Sequence, residues 1–134
     1  MKKRAAAAAA VVVAALMPAM AATAAGAQTT PRRVVYGVVN EHFDITLKNA
    51  KGRRIVRLAP GLVSFRIYDA SNMHNFHLRG PGFNRATYIR GTGHVVWRVR
   101  LTAGKWKFRC DEHPLVMHGA FVVGTPATAR ASVR

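Results

Sequence analysis

The chain has 134 residues, with 21 Lys and Arg against 5 Asp and Glu, six His and one Cys. This length holds one domain at most, and a hydrophobic share of 50% excludes a disordered or collagen-like chain. Because a lone cysteine cannot form a disulfide within the chain, Cys110 is a buried apolar residue, a reactive thiol or a thiolate ligand.

The first 27 residues differ in composition from the rest of the chain. Three basic residues at 2–4 precede an apolar stretch at 5–16, and Ala25-Gly26-Ala27 has the small-x-small pattern of a cleavage site. This arrangement is typical of a secretory signal peptide. An uncleaved anchor is the alternative, since the uncharged residues 5–27 are long enough to span a bilayer. The pattern favours cleavage that removes residues 1–27. The protein would then be exported to the periplasm, to the cell surface or out of the cell, and it would keep no transmembrane span.

Beyond the signal peptide the sequence predicts a short linker, one domain and a tail. We place the linker at 28–33, the domain at 34–124 and a flexible tail at 125–134. The 107 residues that follow the signal peptide hold 18 Lys and Arg against 5 acidic residues, a net charge of +13.

Apolar and polar residues alternate with a period of two within this domain. The alternation runs through 43–48, 63–67, 95–101 and 106–110, with basic residues at most outward positions. Such segments are typical of half-buried antiparallel strands, and Gly and Pro punctuate them every ten to twenty residues. No segment has a helical period. The pattern therefore predicts an all-β protein, a two-sheet β-sandwich of seven to eight strands.

Four residues with metal-ligating side chains fall at or near strand ends. Cys110, His113 and Met117 lie within eight residues, directly after a predicted strand. His74 alternates in step with Phe76 and Leu78, so its side chain is expected to point inward. Two imidazoles, a thiolate and a weak axial thioether form the ligand set of a type 1 copper site.

At these residues the sequence resembles the cupredoxins, the blue-copper family that includes plastocyanin, amicyanin and pseudoazurin. The resemblance covers residues 34–123 and implies an eight-stranded Greek-key sandwich, one copper ion near one end and single-electron transfer. The motifs that carry it are His74-Asn75-Phe76-His77-Leu78, Gly80-Pro81-Gly82, Cys110-Asp111-Glu112-His113 and Met117-His118-Gly119-Ala120-Phe121.

The resemblance implies a role for six residues. His74, Cys110 and His113 would be the strong equatorial ligands of one copper per chain, and Met117 the axial ligand. His118 is the alternative axial ligand, because three residues separate His113 from Met117 and a plastocyanin-like spacing falls on His118. Asn75 and Asp111 would form a hydrogen bond that ties the two ligand segments together.

The remaining histidines and large side chains carry weaker signals. Nothing pairs the other histidines at ligand spacing, so we expect them to be solvated or structural, Met73 to pack, and both tryptophans to lie in the core. These residues are His42, His77, His94, Met73, Trp97 and Trp106.

Three functions from different classes fit the sequence: a one-electron carrier, a copper storage or delivery protein, and an enzyme with a Cys110–His113 nucleophile–base pair. The third needs an oxyanion site and an orienting group, which the sequence does not show, so we expect no enzyme. The basic surface would attract an acidic redox partner or an anionic envelope surface. Export argues against nucleic acid as a partner, and we expect a monomer.

Overall fold

A computed structural model describes residues 33–124 of the chain. The predicted signal peptide, the predicted tail and all but the last residue of the predicted linker lie outside the described residues. Residues 33–124 form nine strands and no helix, so nothing in this range is a helix long enough to cross a membrane. The strands are β1 (Arg33–Val39), β2 (Ile45–Asn49), β3 (Arg57–Leu58), β4 (Gly61–Asp69), β5 (His77–Gly80), β6 (Phe83–Ala86), β7 (Gly93–Leu101), β8 (Gly104–Arg109) and β9 (His118–Val123).

The strands form two sheets, in the order β2-β1-β4-β7 and β3-β9-β8-β5-β6. Successive strands often change sheet, so the all-β sandwich predicted from the sequence is confirmed. The sandwich has nine strands where seven to eight were predicted, and the shortest, β3, has only two residues. The alternating segments were predicted to be antiparallel strands, whereas the pairs β1–β4 and β3–β9 are parallel. Alternation cannot reveal this, because it reports which face of a strand is buried and not the direction of its neighbour.

The core lies between the sheets and follows the period-two pattern. Val63, Phe65 and Ile67 of β4 are buried against Trp106 and Phe108 of β8, all from alternate positions. Both tryptophans lie in this core, as the sequence predicted. The burial of these side chains supplies the main driving force for closing the two sheets on each other.

Two segments depart from the predicted strands. His74 and Phe76, which alternate in step with Leu78, precede β5, since that strand begins at His77. The other departure is at Phe43. The alternation predicts a strand from 43, but β2 begins at Ile45 and Phe43 has a φ of 62°. The side chain of Asn40 accepts hydrogen bonds from the backbone N–H groups of His42 and Asp44, which closes a turn around Phe43. This local competition by an Asn side chain overrides the alternation.

Three connections emerge at the same end of the sandwich. They join β1 to β2, β4 to β5, and β8 to β9, and they carry Phe43, His74 and the segment from Cys110 to Met117. The sheet order therefore collects residues far apart in sequence at one end of the domain. We call this the site end.

Candidate metal centre

His74, Cys110 and His113 lie together at the site end. Nδ1 of His74 is 3.7 Å from Sγ of Cys110, and Nδ1 of His113 is 3.9 Å from the same sulfur. One donor atom of each residue lies within 4.8 Å of the other two. The side chains of His74 and Cys110 are fully buried and that of His113 is half-buried. The structure therefore brings together the three residues that the sequence predicts as strong ligands.

The spacing of the donors fits one metal ion between them. Two donors that each lie roughly 2.0–2.3 Å from a shared ion, at an angle of about 120°, are themselves about 3.7 Å apart. The two sulfur–nitrogen distances, 3.7 and 3.9 Å, agree with this geometry. A hydrogen bond between the thiol and one imidazole would not require the second imidazole to lie at the same distance from the sulfur. The donor set of two imidazoles and a thiol thus suits a coordinated ion.

The pKa of His74 is lowered by its surroundings. Burial, and then the nearby His113, lower its pKa below the ordinary value of 6.5, although Asp69 and Glu41 act in the opposite direction. Its imidazole is therefore neutral near pH 7, which leaves a ring nitrogen lone pair available to a metal. Nε2 of His74 is the one buried side-chain polar atom within 33–124 that lacks a hydrogen-bond partner.

The loop that carries three of the predicted ligands is closed by its own backbone. The N–H of Cys110 donates to the carbonyl of Met117 at 2.9 Å, and the N–H of Met117 donates to the carbonyl of His113 at 2.9 Å. Met117 is fully buried in the same cluster as Cys110, whereas His118 is the exposed first residue of β9. Met117 thus lies in the core and His118 on the surface.

Asn75 links the two segments that carry the predicted ligands. Its side-chain nitrogen donates to Asp111 Oδ2 at 2.9 Å, and its side-chain oxygen accepts from the backbone N–H of Asp111 at 2.8 Å. The predicted contact between Asn75 and Asp111 is thus present. Because these residues directly follow His74 and Cys110, the pair fixes the two ligand positions relative to each other.

His77 contributes to this network, which the sequence did not predict specifically. Its Nδ1 lies 2.7 Å from Asp111 Oδ1, and Arg109 Nε donates to the same oxygen at 3.1 Å. Burial alone would raise the pKa of Asp111, but hydrogen bonds from Asn75, His77 and Arg109 lower it below 3.8. His77 is therefore structural rather than solvated. The available signal was its position two residues after Asn75, on the same face of the chain.

Thr87 and Asp69 form a second support that sequence reasoning missed. The Thr87 hydroxyl accepts from the N–H of Phe76 at 2.9 Å and donates to Asp69 Oδ2. Asp69 is buried at the end of β4, where burial raises its pKa despite hydrogen bonds from Thr87 and from the N–H of Ser71. The contact joins residues 18 positions apart, and no sequence pattern marks Thr87.

Phe43 also lies at the centre, although the alternation predicted only that it is part of a strand. Its ring centroid is 4.8 Å from that of His74 and 5.0 Å from that of His113, while the two imidazoles are 4.7 Å apart. The Phe43 side chain is 51% exposed, so it forms part of the surface above both histidines. Met73, expected to pack, is instead 52% exposed and borders the same open surface as His113.

Comparisons with known proteins show the fold of the chain. No protein-family model matches it, and neither does any curated protein. A structure of reduced rusticyanin is 15% identical, covers 68% of this chain and 78% of its own, and has a TM-score of 0.50. The Met148Gln mutant of rusticyanin is 16% identical, covers 68% and 76%, and also has a TM-score of 0.50. Rusticyanin from Thiobacillus ferrooxidans in another structure is 17% identical, covers 68% and 76%, and has a TM-score of 0.45.

The sandwich, its strand order and these structural neighbours agree with the resemblance of the sequence motifs. The chain therefore has the cupredoxin fold, with a His–Cys–His group at the site end that could hold a metal ion.

Proposed function

We propose that the protein is an exported electron carrier that binds one copper ion through His74, Cys110, His113 and Met117. The observation that carries the proposal is the buried His–Cys–His group with both Nδ1 atoms directed at one sulfur. Thiolate and thioether donors match Cu(I), and imidazole serves both redox states. Export rests on the N-terminal sequence.

A bound copper ion supplies reversible exchange of a single electron between Cu(I) and Cu(II). The protein contributes a donor set whose geometry is held from outside the centre. The Asn75–Asp111 pair and the closed backbone from Cys110 to Met117 keep the donors in place. Cu(I) and Cu(II) prefer different coordination geometries. Because the donors are held in place, the atoms around the ion would move little when an electron is transferred.

Of the three residues in the His–Cys–His group, His113 is the one that reaches the protein surface. His74 and Cys110 are fully buried, which excludes water, while the half-buried His113 borders an open surface together with Met73 and Tyr88. A partner protein therefore reaches the centre at His113. Burial of the Cys110 thiol also speaks against a nucleophile that attacks a substrate, so the proposal includes no catalytic role.

The test is copper binding by the purified protein, followed by spectroscopy and voltammetry. We expect one Cu(II) per chain, an intense visible thiolate-to-copper band and a reversible one-electron wave. C110S should abolish the band, and H118Q, a matched change at the alternative axial residue, should leave it in place. M117A should retain copper and shift the potential.

The alternative function predicts a different outcome of the same experiment. A storage or delivery protein with the same ligands would take up copper but show no reversible wave. That result would overturn the carrier in favour of copper handling, and absence of copper binding would overturn both. We also propose that the protein works as a monomer, with an acidic redox partner or an anionic envelope surface, which ultracentrifugation and salt-dependent binding would test.

A further inference from the structure

The outer face of the five-stranded sheet carries a groove lined by basic side chains. The groove lies over β5 and β8, opposite the core side of the sheet, and has a volume of about 400 Å³. Its lining residues are His77, Arg79, Gly80, Lys105, Lys107 and Arg109. Lys105, Lys107 and Arg109 alternate with the buried Trp106 and Phe108, so all three point outward.

The strand register brings like charges into direct opposition in this groove. Arg79 of β5 faces Lys107 of β8 in the register of the two strands. Side chains directly opposite each other on neighbouring strands are close enough to interact, and like charges there are destabilising. The arrangement therefore costs the isolated domain stability.

The fold supplies no internal counter-charge to most of these cations. Asp111 is the one carboxylate that forms ion pairs within the described part of the chain, and it pairs with His77 and Arg109 at one end of the groove. Arg79, Lys105 and Lys107 have no ion pair within residues 33–124. Three positive charges are thus left around a concave surface.

The other sheet shows that a basic composition does not require this arrangement. On β7, Arg98 faces Ser64 and Arg100 faces Leu62, both across the pair with β4. Arg66 of β4 faces Val96. The basic residues of this pair are interleaved with uncharged ones, so the clustering in the groove is a local feature of β5 and β8.

We propose that the groove binds a phosphate-bearing anion, with Arg79, Lys105 and Lys107 as its charged contacts. A phosphoryl group offers several acceptor oxygens and more than one negative charge, which suits converging Lys and Arg side chains. Binding would compensate the opposed charges of Arg79 and Lys107. Because the groove lies on the sheet face and His113 lies at the site end, an occupied groove leaves His113 accessible.

Titration with inorganic pyrophosphate tests the proposal, with chloride added to hold the ionic strength constant. The binding can be followed by amide chemical shifts in the metal-free protein, which makes the result independent of copper. We expect saturable binding with shifts confined to β5 and β8. The double variant R79Q/K107Q should bind at least tenfold more weakly, while R98Q/R100Q, with the same loss of charge on the other sheet, should bind like the wild type.

Vesicles distinguish the source of the phosphate. Binding to phosphatidylglycerol vesicles but not to pyrophosphate would identify a lipid headgroup, and R79Q/K107Q should abolish it. Equal weakening of pyrophosphate and vesicle binding in both double variants would overturn the proposal, since it would show diffuse attraction by net charge. Binding only to polyglutamate would also overturn it, in favour of an acidic protein surface. Thermal unfolding checks that the variants are folded, and R79Q/K107Q should unfold no earlier than the wild type.

Discussion

The site end and the outer face of the five-stranded sheet differ in how their polar groups are paired. At the site end, Asn75 is buried, Asp111 is half-buried, and the two satisfy each other with short hydrogen bonds. On the sheet face, Arg79 and Lys107 are exposed and oppose each other. The Asn75–Asp111 pair thus contributes to stability, whereas Arg79 and Lys107 leave their charge to solvent or to a ligand. Changes at the first region should cost stability, and changes at the second should alter association instead.

Removal of the Asn75 side chain should give the largest effect. N75A would leave the backbone N–H of Asp111 without its acceptor and the Asp111 carboxylate without one donor, in a buried setting. We expect the free energy of unfolding of the metal-free protein to fall by about 3 kcal/mol. Urea denaturation would measure it.

The matched control is N84A, since Asn84 is exposed and its side chain forms a hydrogen bond with Nε2 of His77. Its cost should stay below about 1 kcal/mol. Equal costs for the two variants would contradict the distinction between buried and exposed polar groups.

Glycine substitutions should destabilise both regions where a buried aromatic ring lies against the glycine backbone. A Cβ on Gly80 would lie 2.1 Å from Trp106, and one on Gly119 would lie 2.2 Å from Phe108. G80A, below the groove, and G119A, at the site end, should therefore both lose about 2 kcal/mol by overpacking. G91A is the control, because its Cβ would come only to 3.3 Å from Tyr88. Thermal unfolding of all three variants would measure the losses, and a G80A protein as stable as G91A would disprove the steric account.

The two carboxylates at the site end should respond to acid in opposite directions. The folded-state pKa of Asp111 is lowered, so its contribution to stability is present above its ordinary pKa of 3.8 and is lost as the pH falls through the lower folded value. The pKa of Asp69 is raised by burial, so its contribution is fully present below 3.8 and is lost as the pH rises through the raised value.

Unfolding free energies of the metal-free wild type, D111N and D69N, measured from about pH 2 to about pH 7, would test both signs. The difference between wild type and D111N should grow with pH, and the difference between wild type and D69N should shrink. Parallel curves for the two variants would contradict the assignment of opposite pKa shifts.

Much of the candidate site could be predicted because its chemistry is local. Cys110, His113 and Met117 lie within eight residues, and the parity of His74 with Phe76 and Leu78 is visible in the sequence. The sandwich followed from the same alternation. What these signals share is that each depends on spacing along one strand or loop.

The contacts that escaped prediction depend on pairing between distant segments. Thr87 supports the centre only because β6 ends beside Phe76. Phe43 reaches both imidazoles only because the turn at Asn40 gives it a left-handed backbone. The opposition of Arg79 and Lys107 requires the β5–β8 register, which alternation within either strand does not specify.

Loss of the Phe43 ring should change the surroundings of both imidazoles without a large loss of stability. Its ring is 51% exposed, so loss of the ring should cost less than about 1 kcal/mol. F43A should nevertheless move the imidazole proton resonances of His74 and His113, since the ring lies about 5 Å from both. Partial rescue by F43Y would show that the aromatic ring is the active feature. Unchanged resonances in F43A would contradict the placement of the Phe43 ring beside both imidazoles.

Charge reversal on the sheet face should give the smallest change, and it should be a gain. K107E converts the like-charge opposition with Arg79 into an opposite-charge pair, which is worth roughly 0.2–1 kcal/mol between neighbouring strands. R98E makes the same reversal opposite the uncharged Ser64 and should leave stability within about 0.5 kcal/mol. Urea denaturation at low and high salt would measure both, and the gain in K107E should decrease with salt because exposed charges are screened. A loss of stability in K107E would mean that the opposed cations are already compensated, and the distinction between the two regions would no longer hold.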